Sequence, residues 1–239
     1  MKPKVIVIAG PTASGKTALS IELAKKINGE IVCADSMQIY KDMNIGTAKV
    51  TKEEMQGIAH YMVDFVSPED RYSVSEFKKE AENAIEKILK KGKTPIVVGG
   101  TGLYIDTLIY GIEFCEMEYD EEYRKKLEQE DLGKLYEKAM EIDKTAALKV
   151  SKTDKKRIIR ILEIYKQTGK TKTELEILSR KNGPKYDYLV FALDMQREKL
   201  YDRINLRVDK MIEQGLIEEV QNLLAKYDKF PTAMQGLRI

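Results

Sequence analysis

The chain has 239 residues, with 41 basic and 39 acidic side chains and a net charge of +2. That length fits one large domain, or one domain with an insertion, and provides ample chain for a buried core. Two cysteines, Cys33 and Cys115, exclude a disulfide framework and fit a reducing compartment.

The start, Met1-Lys2-Pro3-Lys4, reads as leading directly into a strand without a secretory leader. No apolar stretch has membrane-spanning length, so the expectation is a cytoplasmic protein with no membrane partner. An apolar run over 5–9 predicts the first strand. Directly after it come Gly10-Pro11-Thr12-Ala13-Ser14-Gly15-Lys16-Thr17, the pattern G-x-x-x-x-G-K-[ST] between a strand and a helix. Glycines let successive N–H groups curl inward around an anion, and the following helix adds its positive end. Lys16 supplies a point charge, and the Thr17 hydroxyl can reach a magnesium ion that bridges phosphate oxygens. The loop therefore predicts a bound di- or triphosphate with Mg2+, and leaves open which one.

The first helix runs to about Asn28-Gly29. A second strand over 30–34 holds Cys33, for which packing is the expected role. It ends in Asp35-Ser36-Met37-Gln38, where Asp35 reads as a magnesium ligand, a proton acceptor or a turn cap. A helix over 75–91 leads to a third strand over 94–98. That strand ends in Gly99-Gly100-Thr101-Gly102, and a helix follows over 102–110. Short strands alternating with helices predict a parallel sheet covered on both faces, with ligands beyond the carboxyl ends of the strands. Three polar strand ends would then share one cleft.

Between 113 and 185 the strand signals stop, and charged helical segments follow over 120–130, 132–142, 145–150, 154–167 and 172–178. Strand character returns over 188–193. The organisation is therefore a core over 1–112 and 186–239 with a helical insertion over 113–185. Charge is segregated within the insertion. Residues 113–131 carry nine acidic against three basic side chains, a net −6. Residues 149–185 carry twelve basic against four acidic, a net +8. Such a basic stripe suits a polyanion such as RNA, or is an ordinary solvated helix surface. His60 is the sole histidine and reads as structural. The insertion's tyrosines read as helix packing, and the scattered methionines as core filling.

The phosphate loop, the run from Asp35 to Lys49 and Val98-Gly99-Gly100-Thr101-Gly102-Leu103-Tyr104 together resemble the tRNA dimethylallyltransferases, or tRNA isopentenyltransferases. The resemblance extends through His60-Tyr61-Met62-Val63-Asp64, Tyr72-Ser73-Val74-Ser75-Glu76-Phe77, the run from Asp154 to Glu163 and that from Tyr201 to Val208, covering nearly the whole chain. It implies a P-loop NTPase-like α/β fold with the helical insertion gripping a tRNA anticodon stem-loop. It implies transfer of a dimethylallyl group from dimethylallyl diphosphate to N6 of the adenine next to the anticodon, in tRNAs reading codons that begin with U. The loop would then hold a leaving diphosphate and not ATP. By the same resemblance Asp35 takes the amine proton, Thr101 lines the channel near the bridging oxygen, and Arg207 faces the diphosphate with Arg203 as a second candidate. Asp35, Ser36, Met37, Gln38, Thr101, Arg124, Lys156, Arg157, Ile158, Ile159 and Arg160 match tRNA-contacting positions. A monomer is the expected state.

The family pattern continues beyond Met234-Gln235 as Gly-Tyr-Lys-Glu and a further helical region, whereas here Gly236-Leu237-Arg238-Ile239 follows. The expectation is a core that is either truncated or a shortened natural form, with an intact diphosphate site and weakened tRNA binding. Competing readings are a small-molecule or nucleoside kinase, an isopentenyltransferase acting on free AMP, ADP or ATP, and a non-catalytic nucleotide switch or RNA-binding module. The basic insertion argues against a mononucleotide acceptor. The absence of an Asn-Lys-x-Asp segment after a strand argues against a guanine switch.

Overall fold

The computed structural model describes residues 2–114, 120–227, 231, 233 and 234. Cys115 and the segment 235–239 lie outside the described residues. The chain forms two compact units, one from residues 1–109 and 184–239, the other from residues 110–183. None of the described helices is long and apolar enough to cross a membrane.

The first unit is built on five parallel strands, β1 (Lys4–Ala9), β2 (Gly29–Cys33), β3 (His60–Tyr61), β4 (Thr94–Gly99) and β5 (Asp187–Ala192), in the order β3-β2-β4-β1-β5. Side chains alternate between faces along each strand, as a period of two requires. Val5, Val7, Val32 and Val97 join the cluster made with α3 (Val74–Lys90) and α4 (Gly102–Ile109). Ile8, Ile31, Ile96 and Val98 point to the other face, onto Ile21 and Ala24 of α1 (Lys16–Ile27). The apolar runs are therefore continuous because both faces are covered. β3 adds a fifth strand to the four expected, and its two residues are too short for any periodic signal. α2 (Lys52–Met55), α10 (Arg197–Glu213) and α11 (Leu216–Lys226) complete the unit. At the edge strand β5, Leu189, Val190 and Phe191 are exposed.

The second unit is all helical among its described residues: α5 (Glu121–Gln129), α6 (Leu132–Ile142), α7 (Lys144–Leu148), α8 (Lys155–Thr168) and α9 (Lys172–Ser179). Its core joins Leu127, Leu135, Ala139, Ile158, Ile161 and Leu162. Aspartates start four of these five helices, and Asp143, which starts α7, also bonds the first turn of α9. Its carboxylate accepts from Ala146 N at 2.9 Å, Thr173 N at 2.8 Å and Thr173 Oγ1 at 2.7 Å.

Away from the strand carboxyl ends, buried Glu30 fastens β2 to its neighbours. Its carboxylate accepts from Tyr61 Oη at 2.7 Å, Lys93 Nζ at 2.8 Å and Lys91 Nζ at 3.0 Å. Burial opposes its ionisation, yet the bonds from Lys93, Tyr61 and Lys91 outweigh it and hold the carboxyl at about 2, against an ordinary 4.5. A depressed folded-state value adds stability that is complete above the ordinary carboxyl range and disappears as pH falls from 4.5 toward 2. Glu30→Gln should cost about 1–3 kcal/mol near neutrality. It should also flatten the fall in thermal midpoint over that acid window, which calorimetry across pH would measure.

Candidate active site

Within the first unit the three polar strand ends meet. Ala34 N donates to Val98 O at 2.7 Å, and Thr101 N donates to Ala34 O at 3.2 Å. The Thr101 hydroxyl oxygen accepts from Ser36 N at 2.9 Å. Gly99 makes this approach possible, because a Cβ there would lie 2.0 Å from Ala34 O. Thr101 is thus a tie between two strand ends.

The phosphate loop is shaped as a receptor for an anion. Gly15 starts α1 at φ 94°, in the left-handed region, and offers no side chain to cap the helix. The first-turn N–H groups are left without a cap from their own chain. Lys16 Nζ donates to Gly10 O at 2.9 Å and Pro11 O at 2.7 Å, so the ammonium lies across the loop. Ser14 is buried, and its Oγ has no partner among the described residues. A guanidinium nitrogen of Arg203 comes within 3.7 Å of the position a Cβ on Gly15 would occupy.

A cavity of about 530 Å³ opens beside the loop. Lys16, Thr17, Asp35 and Arg207 give it a charged and polar lining, while Ile31, Val63, Val208, Leu216 and Val220 give it an apolar one. An open groove of about 990 Å³ shares Lys16, Thr17 and Arg207 and adds Arg203 and Lys210. Burial lowers the pKa of Lys16 against the opposing Asp35 carboxylate, and Arg207 lowers it further. Arg207 is likewise pulled down by burial, with Asp35 opposing. Two half-buried cations therefore gather near one carboxylate, an arrangement that a bound polyanion would stabilise.

Asp35 is oriented by its own turn. Its Oδ1 accepts from Met37 N at 2.9 Å and Gln38 N at 3.4 Å. The cap and a reactive carboxylate are therefore compatible uses of one residue. Gln38 Oε1 accepts from the Cys33 thiol at 3.6 Å. Burial, and then the Asp35 carboxylate, push that thiol up to about 12, so Cys33 stays protonated and packs in the core. Met37 packs against the cluster around Ile39 and Met43.

His60 lines the same cavity, a position the sequence did not reveal. Its Nδ1 bonds Ile58 O at 2.9 Å, and burial lowers its pKa, which keeps it neutral near pH 7. Gly46 and Thr47 also line the cavity. Their segment carries the resemblance without an assigned role, and no local pattern marks it as a wall.

In the second unit, Lys156, Arg157 and Arg160 are exposed on α8. Ile158 and Ile159, by contrast, have their side chains buried in the helical core, since the 3.6-residue period turns them inward. Arg124 Nη1 donates to buried Glu163 at 3.1 Å and its Nε to Glu128 at 3.1 Å. Arg160 reaches the same Glu163 at 3.4 Å.

The donor set fits a magnesium ion whose other ligands come from a phosphate group. Among the described residues no cluster of three His, Cys, Asp or Glu could hold a metal alone. Exposed Thr17 lines both cavities and offers one hard oxygen, which matches an ion held mainly by phosphate oxygens and water.

A family model described as IPP transferase matches residues 38–239. A tRNA dimethylallyltransferase of Acetivibrio thermocellus is 54% identical over 238 residues, covering 98% of this chain and 76% of its own. That of Caldanaerobacter subterraneus subsp. tengcongensis is 49% identical over 245 residues, covering 99% and 78%. Among solved structures, a eukaryotic dimethylallyltransferase acting on tRNA superposes with a TM-score of 0.82 at 39% identity, over 94% of this chain and 56% of that one. The tRNA isopentenylpyrophosphate transferase of Bacillus halodurans gives 0.68 at 39% identity, over 98% and 74%. The chain thus spans about three quarters of these curated relatives.

The partnerless Ser14 hydroxyl separates binding from folding. Ser14→Ala should leave the thermal midpoint unchanged or raised, because it removes an unsatisfied buried group. It should weaken inorganic pyrophosphate binding about tenfold by calorimetric titration, the loss expected for one hydrogen bond to a charged ligand.

Proposed function

The chain belongs to the IPP transferase family, the tRNA dimethylallyltransferases, and from that premise we propose how its first unit carries out the transfer. The donor is dimethylallyl diphosphate, and the acceptor is N6 of the adenine next to the anticodon in tRNAs that read codons beginning with U. The observation that carries this reading is that one cavity brings together Thr12, Lys16 and Thr17 of the phosphate loop, Asp35 and an apolar wall. A diphosphate, an acid–base group and a small hydrocarbon each find a partner there.

The diphosphate lies on the first-turn amides of α1, with Lys16 turned from the loop carbonyls onto its oxygens and Ser14 donating. Arg207 and Arg203 supply further positive charge. Magnesium, held by Thr17 and the diphosphate, would neutralise charge on the leaving group. The adenine must be unstacked from the anticodon loop to reach the cavity. Its N6 forms a bond to C1 of the dimethylallyl group while the C1–oxygen bond breaks. The electron pair of that bond leaves with the diphosphate, where the cations and amides stabilise it. Asp35, oriented by the Met37 and Gln38 amides, takes the N6 proton.

In the second unit Lys156, Arg157 and Arg160 contribute phosphate contacts to the anticodon stem-loop, and Arg124 is held beside them by Glu163. Every group invoked comes from one chain, so a monomer suffices. The relatives give no support to the kinase or free-nucleotide readings.

The discriminating experiment supplies radiolabelled dimethylallyl diphosphate with either an anticodon stem-loop or AMP. Label should pass to the stem-loop alone. Asp35→Asn should bind the stem-loop normally and lower the rate by about 10²–10⁴-fold, the usual contribution of a positioned base. Label on AMP, or full activity of Asp35→Asn, contradicts the reading.

A further inference from the structure

One carboxylate outside the reacting groups joins two walls of the cavity. Glu219, in the first turn of α11, reaches a loop far away in sequence. Its Oε2 accepts from Asn44 N and Ile45 N, both at 2.8 Å, and its Oε1 accepts from Gly46 N at 2.9 Å. Three successive amides on one carboxylate form an anion nest filled by the chain itself, and each bond is charge-assisted.

The same pair of elements is fastened again by Asp42, which accepts from Lys226 Nζ at 2.7 Å and Tyr227 Oη at 3.0 Å. Leu223 of α11 packs with Ile39, Tyr40 and Met43. The loop's return limb is held from the catalytic side, where Gln38 Nε2 donates to Thr47 O at 3.3 Å and Ala48 O at 3.0 Å. Both partners of the nest line the cavity, Gly46, Thr47 and Ala48 from the loop and Leu216 and Val220 from α11.

We propose that Glu219 is a positioning residue that fixes the apolar wall of the cavity and thereby confines the donor to a five-carbon allylic tail. This rests on the prenyl-transfer reading above. Apolar contact alone cannot enforce such a limit, because a longer hydrocarbon gains more from burial. Rejection of a larger tail needs a wall that does not yield, and a clamp from helix to loop supplies one.

The test uses the full chain and compares dimethylallyl with geranyl diphosphate as donor to an anticodon stem-loop. Inorganic pyrophosphate binding and thermal midpoint serve as controls. Glu219→Ala should raise the geranyl-to-dimethylallyl ratio of kcat/KM about tenfold and raise KM for dimethylallyl diphosphate. Pyrophosphate affinity should stay within about twofold, since the loop at Gly10–Thr17 is untouched.

Should that variant fail to fold, Leu216→Ala and Val220→Ala widen the same wall with the clamp intact, and each should raise the ratio. An unchanged ratio in folded variants overturns the proposal. So does a loss of pyrophosphate binding parallel to the loss of transfer, which would mark Glu219 as a general structural support. If the unaltered chain transfers neither tail, the prenyl-transfer reading has failed and this proposal with it.

Discussion

Everything at the site depends on how closely β4 passes β2. The Ala34 carbonyl accepts from Thr101 N, and the only side chain that fits at position 99 between them is a hydrogen. That approach brings the turn carrying Asp35 level with the phosphate loop at the end of β1. It also engages the Thr101 hydroxyl with Ser36, so the turn that orients Asp35 is anchored at both ends. The chemistry is thus set by backbone proximity, and the charged groups only occupy a geometry the strands have already fixed.

Within that geometry the charges are arranged for a ligand, not for one another. Lys16 bonds loop carbonyls, the Ser14 hydroxyl has no partner among the described residues, and half-buried Arg207 lies close enough to Lys16 to lower its pKa. Compare the nest under Glu219, where amides and carboxylate satisfy each other within the chain. One anion receptor is filled by the protein and serves to hold shape. The other leaves the first-turn amides of α1 without a side-chain cap. The same physics, backbone N–H groups converging on negative charge, produces both.

Much of this was legible in the sequence. The phosphate loop could be read because its glycines, lysine and threonine sit at fixed offsets between an apolar strand and a helix. The four longer strands declared themselves as apolar runs; β1, β2 and β4 are covered on both faces, while β5 is an exposed edge. β3 did not, being held by pairing with β2 and not by its own two residues. Ile158 and Ile159 show what a contiguous motif leaves unsaid about facing. A contiguous stretch matched RNA-contacting positions, yet the helix sends its isoleucines to the core and its cations to solvent. Glu219 and His60 were illegible for another reason. Glu219 bonds amides far away along the chain, and His60 reaches the cavity wall only through the fold, which no local pattern encodes.

The central claim is that the loop holds a leaving group and that the bond broken is carbon to oxygen. It is tested most directly with dimethylallyl diphosphate carrying oxygen-18 at the atom that joins C1 to phosphorus. The account predicts that, with an anticodon stem-loop as acceptor, all of that label leaves in the released diphosphate and the prenylated RNA carries none. Recovery of the label in dimethylallyl alcohol or its monophosphate, with phosphate passed to the acceptor, would contradict it.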